Sequence, residues 1–150
     1  MNRKGYTLIE LIAVIAILAI VMVIGVYSVT SYMNRSKQKA FDVLINSFED
    51  GVLTAYTSCL TNPKGSDFCS NHSIPDVGEF DRISLGELEN DEFVEKMKNP
   101  WNTSEKCESN SYIIATRTSD DNISFSYKTC LQCGNHISEG CTNVEEVNSY

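Results

Sequence analysis

The hydrophobic pattern of the chain has two regimes that follow one another without a break. From Leu11 to Tyr27 no residue carries a charge, an amide or a hydroxyl other than the Tyr27 phenol. A helix through this stretch is apolar on every side. At ~1.5 Å rise per residue its seventeen positions span about 25 Å. With Tyr6–Ile9 added, it approaches the ~30 Å of a bilayer core. Beyond it the pattern narrows to a stripe. Phe41, Leu44, Ile45, Phe48, Val52, Ala55 and Tyr56 recur at helical period, while Arg35, Lys39, Asp42, Asn46, Glu49 and Asp50 take other faces. No proline lies between Ser28 and Thr57, and Gly25 is the one flexible point of the first half. One long helix is predicted, wholly apolar at first and one-sided afterwards.

Pro63 and Gly65 in Thr61–Ser66 end that helix and turn the chain. Ser70–Phe80 reads as irregular. Ser84 with Glu87 three positions on is a capping-box pattern, and Leu85 and Leu88 give the short helix an apolar side. A second short helix is predicted from Asn90, carrying Phe93, Val94 and Met97 and stopping by Pro100. Tyr112–Thr118 and Ile123–Thr129 are strand-like, the second alternating strictly, and Ser119–Asn122 is a turn between them. The apolar face of this hairpin is expected on the Phe41–Tyr56 stripe. The fold expected is α+β: one long amino-terminal helix packed on a small antiparallel sheet, with disulfide-tied loops.

Charge and cysteine content refine this picture. The 150 residues carry a formal charge of −8, which argues against nucleic acid as the principal ligand. Arg35, Lys37 and Lys39 form the one early basic cluster, either meeting headgroups or forming the solvated side of a helix. The six cysteines, Cys59, Cys69, Cys107, Cys130, Cys133 and Cys141, all follow the apolar run, and an even count there favours disulfides. Six cysteines allow 15 pairings. The pairs expected are Cys59–Cys69, Cys107–Cys130 and Cys133–Cys141. Cys130, Cys133, His136 and Cys141 also offer a zinc-like donor set, and Cys130-Leu-Gln-Cys133 a redox-like one. Oxidation outside the cell opposes both, so no metal and no cofactor are expected. Asn71, Asn102 and Asn122 each begin an N-glycosylation triplet of a kind common by chance. His72 and His136 fall in loops away from any obvious nucleophile, and no enzyme site is read.

The single charge inside the apolar stretch is Glu10. A carboxylate at that depth costs ~2.5–3.5 kcal/mol or more unless something pairs with it. No small-residue cleavage pattern closes the apolar run, as it would in a secretory signal. Arg3 and Lys4 hold the short leader on the cytoplasmic side. A plain membrane anchor would leave Glu10 unexplained.

Gly5-Tyr6-Thr7-Leu8-Ile9-Glu10, behind a basic leader and ahead of a long apolar run, resembles the processing site of type IV prepilins and type II secretion pseudopilins. The resemblance covers roughly residues 3–27, and Tyr6 stands where the family usually has Phe. It implies cleavage between Gly5 and Tyr6 by prepilin peptidase, methylation of the Tyr6 amine, and an assembly role for Glu10. Loss of Arg3 and Lys4 with the leader would take the charge to −10. Lys98-Asn-Pro-Trp-Asn102 resembles the Asp-Pro-Trp-Gly-type turn of many pseudopilins, with Asn99 for the acid and Asn102 for the glycine. Some pseudopilins bind calcium in a carboxyl-terminal loop, but Asp120, Asp121 and Asn122 are placed as a hairpin turn without fuller ligand spacing.

The organisation implied is a removed leader (1–5), a transmembrane and filament-core half-helix (6–27), and an amphipathic helix with globular head (28–150). The function implied is that of a structural subunit of a type IV pilus or a similar filament. Alternatives are a pseudopilin of a type II secretion or DNA-uptake apparatus, or a membrane-tethered extracellular binding module. Implied partners are other pilin subunits, the prepilin peptidase, a membrane assembly platform and, before assembly, the lipid bilayer, with DNA or a surface ligand also open. The chain would lie in the cytoplasmic membrane with its amino terminus inside and its head outside, then on the cell surface.

Overall fold

The computed structural model describes residues 7–120 and 123–141, with backbone alone for residues 24–28. The Gly5–Tyr6 junction, Asp121, Asn122 and the tail beyond Cys141 lie outside the described residues. The first helix, α1, runs Leu8–Thr61 and ends at the turn before Pro63, where proline and glycine were expected to stop it. The chain divides into two units, Met1–Lys39 and Ala40–Tyr150. In the first, the described residues are a single helix whose side chains are almost all exposed.

The second unit is built on the apolar stripe of α1. Phe48, Val52, Ala55 and Tyr56 are fully buried, Phe41 nearly so, and Leu44 and Ile45 pack at the margin. Removing a Phe- or Leu-sized side chain from water contributes ~1.5–3 kcal/mol, so this stripe is the floor of the core. A three-stranded antiparallel sheet covers it in the order β1-β2-β3: β1 is Phe80–Ser84, β2 Tyr112–Arg117 and β3 Phe125–Cys130. Ile83, Ile113 and Ala115 point inward, and Phe125 stacks on Tyr56 at 5.0 Å. The hairpin thus lies on the stripe as its alternation predicts. Two short helices complete the unit, α2 (Asp67–Asn71) and α3 (Leu85–Asn90). The capping box is present: Ser84 accepts from the Glu87 amide, and the Glu87 carboxylate accepts from the Ser84 amide.

Three expectations are corrected. Ser70–Phe80 is irregular from His72 to Glu79 as read, but no strand was expected at Phe80–Ser84, where β1 forms. Its inward position Asp81 breaks the apolar alternation, and the strand is held by pairing with β2, Asp81 opposite Ala115 and Ile83 opposite Ile113. The helix expected from Asn90 does not form. Instead α3 closes with Glu92 at φ 60°, and the amides of Phe93 and Val94 both donate to the Leu88 carbonyl. This is a Schellman-type stop with a glutamate at the left-handed position that glycine usually takes.

The disulfide set also differs. Cys59–Cys69 forms, but the other pairs are Cys107–Cys133 and Cys130–Cys141, not Cys107–Cys130 and Cys133–Cys141. The reason lies in the short hairpin β4 (Gln132–Cys133) and β5 (His136–Ile137), turned at Gly134 with φ +61°. The Glu108 amide donates to the Gln132 carbonyl, which brings Cys107 alongside buried Cys133. The Ser138 hydroxyl donates to the Thr129 carbonyl and accepts from the Leu131 amide. That fold-back returns the 3₁₀ turn Glu139–Cys141 to the end of β3, where Cys130 waits.

Candidate functional site

At the start of α1, the Thr7 amide donates to Glu10 Oε2 at 2.8 Å and the Thr7 hydroxyl donates to the same oxygen at 3.0 Å. The Glu10 amide donates back to Thr7 Oγ1 at 3.4 Å. Thr7-Leu8-Ile9-Glu10 is therefore a capping box, with Thr7 at the cap and Glu10 three residues in. Reading Glu10 as a costly charge with an assembly role misses this cap, although the Thr-x-x-Glu signature is plain in the sequence. Two donors engage the carboxylate within its own chain, which answers part of the desolvation problem. Glu10 remains a full charge at the head of an apolar helix.

From Leu8 to Val23 the large apolar side chains of α1 are exposed all round, Leu8 at 78% and Val23 at 72%. Contiguous apolar surface on this scale marks a surface that is covered in use. Among the described residues no helix is long and apolar enough to cross a membrane. Leu8–Val23 is sixteen positions, all apolar but Glu10, and spans about 24 Å at ~1.5 Å per residue, against a ~30 Å core.

In the second unit the polar groups gather around Asp81. Its Oδ2 accepts the Tyr56 hydroxyl at 2.7 Å and lies 2.8 Å from His72 Nδ1. His72 Nε2 lies 3.4 Å from Glu87 Oε1, and the ring stacks on Phe68 at 4.6 Å. His72 thus joins α2, β1 and α3 rather than standing in a free loop. Burial works against the Glu87 charge, but hydrogen bonds from Ser84 and His72 outweigh it and hold the carboxyl below its usual range. Burial also raises the Tyr56 phenol well above its ordinary value, with the bond to Asp81 adding to it. The cleft beside His72 holds only about 80 Å³. That is small beside ordinary ligand pockets of ~300–1,000 Å³, so the network reads as a structural tie.

The turn at Lys98–Asn102 is also built from side-chain bonds. Buried Asn99 accepts from the Trp101 amide through Oδ1 at 2.9 Å, and Trp101 stacks on His136 with ring centres 3.5 Å apart. His136 is therefore packed, and Cys130, Cys133 and Cys141 are all disulfide-bonded. Among the described residues no three His, Cys, Asp or Glu side chains are grouped as a metal site.

Residues 1–26 match the family model described as the prokaryotic N-terminal methylation motif. Comparison with curated proteins and with solved structures finds no significant match.

Proposed function

Because the amino terminus carries the type IV pilin and pseudopilin signature and leads into a long helix with a small disulfide-tied head, we propose that this chain is a structural subunit of a type IV pilus or a similar filament. Such a motif implies processing by prepilin peptidase and assembly with other pilin subunits, and it points to a structural protein rather than an enzyme. In this reading residues 1–5 are the leader, removed by a cut between Gly5 and Tyr6, and the Tyr6 amine is methylated. Residues 6–27 lie in the cytoplasmic membrane before assembly and in the filament core afterwards. Residues 28–150 carry the second half of α1 and the head, which faces outward and then reaches the cell surface.

The observation that carries this reading is the methylation signature at residues 1–26, which takes in Leu8–Val23, whose apolar side chains stand uncovered. Lipid would cover them first and sister helices later. Glu10 would meet the Tyr6 amine of a neighbouring subunit, giving the charge a partner and setting the axial register. Mass spectrometry of the mature chain, together with its detection in sheared surface filaments, tests the reading. An N-methylated Tyr6 terminus and presence in the filament fraction are expected. An intact Met1, or a chain found only in membranes, would overturn it.

A further inference from the structure

Strand register assigns one face of the sheet to the core and the other away from it, where Tyr112 and Cys130 are covered and Phe80 and Arg82 are exposed. Ile83, Ile113 and Ala115 are inward at 0% exposure, so Phe80, Arg82, Ile114, Thr116, Ser126 and Lys128 are outward. No carboxylate occupies an outward position on any of the three strands. Residues 40–150 hold 19 acids against 7 bases, so outward strand positions with two cations and no acid are set apart from the rest of the unit. Arg82, Ile114 and Lys128 form one row across it. The Arg82 guanidinium lies 4.0 Å over the Tyr112 ring, and among the described residues it has no carboxylate partner. Phe80 beside it is half exposed. The turn containing Glu139 packs alongside β3, so the Arg82 half of the row is the useful one.

The complementary charge is in the same molecule. Residues 87–95 carry five acids and no base. Three of these carboxylates have internal tasks: Glu87 caps α3, Glu89 accepts from the Met97 amide, and Asp91 accepts from the Phe68 amide. Glu92 and Glu95 are exposed. We propose that the Arg82 face of one head docks against the Glu92–Glu95 loop of a second copy in the filament. The proposal rests on the filament reading above and adds a specific contact between heads. Two different patches meeting head to tail make a heterologous interface, the kind that generates an open helical array rather than a closed dimer. Every subunit carries both halves, so the contact repeats along the filament.

Arg82→Glu, the pair Glu92→Lys with Glu95→Lys, and the combination of all three are compared with wild type as the sole subunit. Intact disulfides in the membrane pool serve as the folding check. Opposing like charges strongly disfavour a contact, so sheared filament yield is expected to fall roughly tenfold or more in either half-reversal and to recover in the combination. The acidic-loop variant keeps the question open to refutation if Arg82→Glu does not fold. Normal yield from the half-reversals, or no recovery in the combination, overturns the contact while leaving the filament reading in place. Normal filaments that lose retention of single-stranded DNA overturn it in favour of a nucleic-acid partner. Absence of the wild-type chain from filaments overturns both.

Discussion

The capping box at Thr7 and Glu10 changes how the assembly role of Glu10 is tested. Glu10→Ala removes two things together: the acceptor for the Thr7 amide and hydroxyl, and the charge that we propose meets a neighbour's amine. Glu10→Gln separates them, because a glutamine at this position still closes a capping box but carries no charge. The local part is small. Loss of a helix cap typically costs ~0.5–2 kcal/mol. In the proposed filament the intermolecular part is larger, since removing one partner of a buried ion pair typically costs ~3–5 kcal/mol. With ~1.4 kcal/mol per factor of ten, ~3–5 kcal/mol corresponds to roughly a hundredfold or greater loss of incorporation. Glu10→Gln is therefore expected to insert in the membrane and fold its head as wild type does, yet to be nearly absent from filaments. Glu10→Ala should fail at least as badly. The assay is quantitative fractionation of sheared filaments against membranes, with each variant as the sole subunit. Wild-type yield from Glu10→Gln alongside failure of Glu10→Ala would refute charge pairing and leave helix capping as the role of this residue.

Peptide mapping of the exported chain without reductant should recover Cys59–Cys69, Cys107–Cys133 and Cys130–Cys141 and no free thiol; a Cys107–Cys130 or Cys133–Cys141 peptide would contradict the fold-back at Ser138. Glu92→Gly should stabilise the head by ~0.5–1 kcal/mol, because glycine takes a φ of 60° without the strain of a side chain, and a thermal melt should rise by a few degrees. A lower melting temperature would show that the Glu92 side chain contributes more than its backbone strain costs. Tyr127 is pushed up to about 12 by burial, with Glu49 and Asp50 adding to it, and Tyr56 is raised as well. A phenol whose folded value is raised lends stability that is full below about pH 10 and is lost as pH climbs from there towards 12. Tyrosinate absorbance should therefore show these two rings held back until alkaline unfolding, and titration of both near pH 10 in the folded protein would contradict that.

The parts of this protein that the sequence determined by itself are those set by local periodicity and local hydrogen bonds. The apolar run, the stripe from Phe41 to Tyr56 and the stop before Pro63 define α1 because helix faces depend only on spacing along the chain. Ser84 with Glu87 and the strict alternation of β3 are equally local, and so is Thr7 with Glu10, which the spacing announces once it is looked for. The remaining features were decided only when distant segments met. Phe80–Ser84 has too few apolar residues to read as a strand, and becomes one because β2 supplies its ladder while Tyr56 and His72 accommodate Asp81. The Phe93–Met97 segment has apolar residues at helical spacing, but the cap at Glu92 turns it away. Cysteine pairing depends on which backbones run side by side, and the turn at Gly134 and the Ser138 hydroxyl settle that in three dimensions. Spacing along the chain constrains a helix face strongly because neighbours in sequence are neighbours in space; it constrains a disulfide hardly at all, because the loop between two cysteines can close in many ways until the sheet and the core choose one.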